Sequence, residues 1–122
     1  MVGGPVSDLA VMLAGMAPVL DTREWRFVLV EGEPPADAFA VIREDEGTTA
    51  IIAEDGGEFA RITLMVHSAL DGVGLTAAVS GALAGAGIAC NIVAGFHHDH
   101  LFVPWDRRDE ALERLQRLAQ TG

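Results

Sequence analysis

Cysteine is almost missing from this chain: Cys90 is the only one in 122 residues. An internal disulfide is therefore excluded, and so is any CxxC redox or zinc motif. Basic residues are scarce as well, 8 against 18 acidic, for a formal net charge of −10. That balance opposes a phosphate backbone and an anionic membrane, and no basic stripe offsets it locally, so neither nucleic acid nor a membrane is expected as a partner. No apolar run approaches the roughly 20 residues needed to span a bilayer. The N-terminal stretch PVSDLAVMLAGMAPVL is apolar, yet it has no basic leader and carries Asp8 and Pro18, which argues against a signal peptide. Together these absences predict a soluble, cytoplasmic chain the size of one ordinary domain.

What is present is the material of a core, since 50% of the residues are apolar. Leu9, Met12, Leu13 and Met16 repeat at helical spacing, with Ser7 placed as N-cap and Pro18 closing the helix. WRFVLVE (25–31), AFAVIRE (38–44) and TTAIIAE (48–54) are strand-like, the last two joined by a short turn ending in Gly47. DGG at 55–57 marks the clearest internal boundary, dividing 1–57 from 58–122. Beyond it, Ala60, Ile62, Leu64 and Val66 alternate with Arg61, Thr63, Met65 and His67, the period of a half-buried strand. The period then changes: Leu75, Val79, Ala82, Leu83 and Ala86 share one helical face, and Gly87 stands where a helix-ending glycine belongs. IACNIVAGF (88–96) and HLFVPW (100–105) read as strands. A last helix follows, with Asp106 as its N-cap candidate and Glu110–Arg114 and Glu113–Arg117 paired on its outer side.

The order is thus α-β-β-β, then β-α-β-β-α. The second half is a ferredoxin-like βαββα unit short of its final strand, which the first half can supply. The expected fold is α+β, an antiparallel sheet with helices on one face. The other face must then be covered, by the other half or by a second copy of the chain.

The stretch LDGVGLTAAVSGALAGAGIACNIVAGFHHDHLFVP (70–104) resembles an ACT domain, a small regulatory module that binds amino acids in many biosynthetic enzymes. The likeness lies in a glycine-containing loop ending VGLTA, a small-residue helix, and AGI leading to a strand that bears asparagine. The chain departs from the family's GIN motif, because Asn91 follows Ile88 by three residues. Over nearly its full length the chain is similar to short stand-alone bacterial proteins built of two ACT-like halves, with REDEGTT (43–49), VHSALDGVGLTAAVS (66–80) and DHLFVP (99–104) carrying the resemblance. The resemblance implies a non-catalytic sensor that binds a small molecule, an amino acid above all, at an interface between ACT units, and a homodimer or higher homo-oligomer. It implies ligand contacts from Ser68, Val73, Gly74, Leu75 and Thr76, from Cys90, Asn91 and Ile92, and from Glu44 and Asp45 of the facing half. Physical chemistry agrees with the loop: backbone N–H groups at a helix start suit a carboxylate, and Gly72 and Gly74 allow close approach. The alternative is that these glycines only turn the chain. The protein would then be a ligand-free oligomerisation module whose exposed apolar sheet face includes Cys90 and Ile92.

HHDH at 97–100 holds three of the four histidines. A metal site needs at least three converging ligands, and this spacing matches no zinc pattern, although a His67/His98/His100 set is conceivable across neighbouring strands. The expected role is a polar hairpin tip, with no metal and no cofactor. Catalysis is not expected either. His67 and Ser68 would point to opposite faces of a strand, AVSGA lacks the leading glycine of a nucleophile elbow, and Cys90 sits in an apolar strand where thiols are inert.

Overall fold

The structure, a computed structural model, describes residues 8–67 and 72–121. In chain order the elements are α1 (Leu9–Ala14), β1 (Pro18–Leu20), β2 (Trp25–Val30), β3 (Ala40–Glu44), β4 (Gly47–Ala53), β5 (Phe59–Leu64), α2 (Leu75–Gly85), β6 (Asn91–Ala94), β7 (Asp99–Pro104) and α3 (Arg108–Ala119). All strand pairings are antiparallel, in the order β3-β4-β2-β5-β7-β6, with β1 also paired to β5.

The β5-α2-β6-β7-α3 run is the expected ferredoxin-like unit. Its missing strand comes from the first half: β1, a strand the sequence pattern does not announce, pairs along Ile62–Leu64. Phe59 then lies opposite Trp25 rather than Arg23, so two residues bulge out between β1 and β2 and the chain bends away from β5. From that bend β2, β3 and β4 form a leaf that curls over the helix-free side of the sheet. The curl is measurable. In a flat sheet, four strand spacings would hold β3 about 19 Å from β7. Yet the Phe39 ring, next to β3, is centred 5.7 Å from that of Phe102 on β7.

Two cores result. The first lies between the sheet and the three helices and includes Met12, Met16, Ile62, Leu64, Val79, Leu83, Leu101 and Leu115. The second lies under the leaf and gathers Trp25, Phe27, Phe39, Ile51, Phe59 and Phe102. The uncovered sheet face expected from sequence is therefore covered by the first half. Cys90 and Ile92 do not line it; they pack against the helix-side core, because Ile92 pairs with Leu101 and shares its face.

Local signals held at α2. Its C-cap is Ala86, Gly87 takes φ +72°, and the N–H groups of Gly87 and Ile88 donate to the carbonyls of Ala84 and Leu83, a Schellman ending. Both other helix starts differ from expectation. Asp8 caps α1 by accepting from the Val11 N–H at 3.1 Å, while Ser7 lies outside the described residues. Asp106 falls inside a 3-10 turn (Trp105–Arg107), so α3 begins only at Arg108, with no side-chain cap. The pairs on α3 form as expected, Glu113–Arg117 at 2.9 Å and Glu110–Arg114 at 3.7 Å.

Candidate functional site

Gly74 is the N-cap of α2, at φ 104° and with no side-chain hydrogen bond to the helix start. The 11-residue helix starts beside Val73, which is 81% exposed, and its first N–H groups have no partner within the helix itself. Leu75 turns inward to the core and Thr76 is exposed. A side chain at Gly74 would meet Leu9 of α1 at 3.1 Å as well as an unfavourable φ. Ser68 lies outside the described residues.

The strand residues of the expected site are elsewhere. Ala94 is level with Leu64 through β7, so Cys90, Asn91 and Ile92 sit at the far end of α2 from Gly74, about 16 Å along an 11-residue helix. Asn91 is exposed, and burial pushes the half-buried Cys90 thiol up to about 11. Glu44 and Asp45 occupy the exposed β3–β4 turn, where Glu44 accepts from the Thr49 hydroxyl at 2.9 Å. That turn belongs to the leaf, on the side of the sheet away from α2. One chain thus does not bring the three groups together.

HHDH is a hairpin: Ala94 pairs with Asp99, the Gly95 N–H donates to the His98 carbonyl, and His97 and His98 stand at the tip. His67 neighbours His97, ring centres 5.7 Å apart, whereas His100 turns under the leaf to Phe39 and to Thr63 Oγ1 at 3.1 Å. Among the described residues no three His, Cys, Asp or Glu side chains gather where a metal ion could sit.

A second locus was not singled out by the sequence. Arg61, on the leaf-facing side of β5, packs its guanidinium against the adjoining rings of Trp25 and Phe39, the central carbon 4.7 Å from each ring centre. Arg23 covers Trp25 at 4.8 Å, and Asp21 accepts from Trp25 Nε1 at 2.8 Å and from Arg23 Nε at 3.1 Å. Arg23, Trp25, Phe39 and Arg61 border a cavity of about 320 Å³, whose other walls are Pro35, Asp37, Ile52 and Ala53. The only sequence signal was an arginine alternating with core residues on an otherwise apolar strand. Its partners are 22 to 36 positions away, beyond reach of any spacing rule.

This βαβ architecture with a glycine-turned helix start defines a small regulatory, ligand-binding type of module. Residues 5–66 match one ACT domain family model and residues 60–117 match another. The chain belongs to the ACT domain family. ACT domains are regulatory modules rather than catalysts, and two ACT-like halves make up this chain. The Vibrio cholerae protein VC0802, of unknown function and described as a possible transport protein, is similar at 36% identity over 91% of this chain and 95% of that one, with a TM-score of 0.79. The Agrobacterium tumefaciens protein Atu0741 shares the fold at 18% identity and a TM-score of 0.63, covering 78% of this chain and 81% of its own. The ligand-free regulatory subunit of aspartate kinase from Thermus thermophilus shares it at 11% identity and 0.67, over 85% and 97%. No curated protein matches the chain.

Proposed function

We propose that this protein is a non-catalytic sensor that binds an amino acid at an interface between ACT units of two copies of the chain. The observation that carries this reading is the start of α2, turned by Gly74 at φ 104° beside the exposed Val73. Carboxylates favour such a terminus, where about half a positive charge and several free N–H donors converge.

The separation of Gly74 from Asn91 supports an interface rather than a site in one chain. β6 ends the strand order, so its outer edge is unpaired among the described residues. If two copies meet there about a two-fold axis, their β6 strands run antiparallel, and Asn91 of one copy stands level with Ala94 of the other. Ala94 is at the α2-start end of its own chain, so the partner's strand residues approach residues 73–76. In this proposal Val73–Thr76 and Ser68 hold the carboxylate, and Cys90–Ile92 of the second copy flank it. Glu44 and Asp45 would contribute only in a higher assembly that brings the β3–β4 turn to the same interface. The halves would divide at Gly57–Glu58, and the protein would work in the cytoplasm; among the described residues no helix is long and apolar enough to cross a membrane.

The test is a thermal-shift screen against the twenty amino acids, with sedimentation to follow assembly. A ligand at 100 times its dissociation constant adds about 2.7 kcal/mol and moves the midpoint by several degrees. One amino acid should shift the wild type and not Gly74→Trp. A dimer that responds to no amino acid would instead favour the ligand-free oligomerisation module.

A further inference from the structure

We propose that the cavity beside Arg61 is a second binding site, within a single chain, for a small organic carboxylate with an apolar body. Arg61 carries five N–H donors, is 16% exposed, and donates no hydrogen bond to any described residue. Its nearest carboxylate oxygen, Asp21 Oδ2, is 3.9 Å from Nη2, an electrostatic contact too long for a hydrogen bond. Arg26 and Arg114 also have a buried Nε without a hydrogen bond, but each is paired with a glutamate, at 3.3 and 3.7 Å, and neither lines the cavity. Arg61 alone combines burial with empty donors at the wall of a cavity.

The way Arg61 is held prescribes what can satisfy it. Its guanidinium carbon is 4.7 Å from the ring centres of both Trp25 and Phe39, which are 5.6 Å apart and tilted by 72°, so the two rings flank the cation from one side and neither offers its donors an acceptor oxygen. An in-plane fork of N–H groups is matched by the two oxygens of a carboxylate, received side by side. Burial disfavours the charge on Arg61, Asp21 partly restores it, and Arg23 opposes it again. An anion in the cavity would relieve both the buried charge and the repulsion from Arg23. Asp21 is already engaged by Trp25 and Arg23, and Asp37, the carboxylate in the cavity wall, makes no ion pair with Arg61 among the described residues, so the Arg61 donors keep no acceptor of their own.

The remaining walls choose among anions. Trp25, Pro35, Phe39, Ile52 and Ala53 are apolar and suit a short aliphatic or aromatic group, while Asp37 is acidic and opposes the further negative charge of inorganic phosphate. A volume of about 320 Å³ is at the small end of the roughly 300–1,000 Å³ typical of small-molecule sites, so the ligand is metabolite-sized. This site does not depend on the interfacial one, since Gly74 begins a helix on the opposite side of the sheet.

Trp25 provides the readout. The chain has two tryptophans, so in Trp105→Phe protein the fluorescence comes from Trp25 alone. Benzoate, isovalerate and L-leucine serve as carboxylate probes, with benzamide and inorganic phosphate as the neutral and inorganic controls. At least one carboxylate should give a saturable change that benzamide and phosphate do not. Arg61→Gln should weaken it more than tenfold and Arg61→Lys by less. Arg23→Gln, at a rim position that is 57% exposed, should weaken it several-fold with an unchanged circular dichroism spectrum, which keeps the test valid if Arg61 variants unfold. Silence toward all three carboxylates overturns the proposal. So does an equal response to benzamide or phosphate, or binding that survives both arginine substitutions in folded protein.

Discussion

The two cores of this molecule are built from different materials. On the helix side, aliphatic and methionine side chains fill the space between three helices and the sheet. Under the leaf, five of the seven aromatic residues (two Trp, five Phe) meet edge to face, with ring centres 5.2–6.0 Å apart. Aliphatic packing tolerates no polar atom. Aromatic rings have electron-rich faces and, in tryptophan, a donor at the edge, so they admit charge and hydrogen bonds where aliphatics would exclude them. Arg61, Asp21 and His100 all gather at the aromatic core, and the described buried residues of the other are all apolar. One core holds the shape and the other can hold a ligand.

The comparison breaks most sharply at the cores themselves. Phe102 is fully buried against Trp25, Phe27 and Phe39, and Phe102→Ala should cost about 3–5 kcal/mol in urea unfolding. It should also erase the near-ultraviolet dichroism of Trp25. Leu83→Ala, equally buried on the helix side, should cost about 2–5 kcal/mol while leaving that dichroism intact. Loss of the signal in both variants would show that the cores are one.

The seam between the halves should be the next most sensitive place. A Cβ at Gly57 would stand 2.5–2.8 Å from backbone atoms of Trp25, which has no flexible end to move aside. Gly57→Ala should therefore destabilise by about 1–3 kcal/mol, and hydrogen exchange should show the leaf opening first. Uniform exchange across the chain would contradict a separable leaf.

The smallest effect concerns pH. Burial, then Arg61 and His98, lower the His100 pKa below its ordinary 6.5. The unfolded chain then binds the proton more readily, so the contribution of neutral His100 is complete above about pH 6.5 and is lost as pH falls toward the lowered folded value. His100→Asn should flatten the stability profile in that window; a decline of equal slope in the variant would assign it to other groups.

Much of the fold was legible locally. The period-two run through Ala60–Val66, the helical face from Leu75, the glycine ending at Gly87 and the hairpin at 97–100 each follow from neighbours within a few residues. The Asp106 cap failed because the turn tightened to 3-10 before α3 began, and β1 was missed because three residues carry too short a pattern to read. The glycine loop was legible through its motif and its physics. The Arg61 niche was not, since Arg61 in alternation has the same signature whether it faces water or a second layer.

The sequence by itself determined most of the helices and strands, β1 excepted, together with where α2 ends and which side of β5 is apolar, because these depend on side-chain periodicity and local backbone freedom. Only the tertiary structure decided what covers the other side. The bulge between β1 and β2 bends the chain away from β5, and the resulting curl sets Phe39 against a strand four places away. That bend turned Arg61 from a residue of a sheet surface into the buried wall of a cavity.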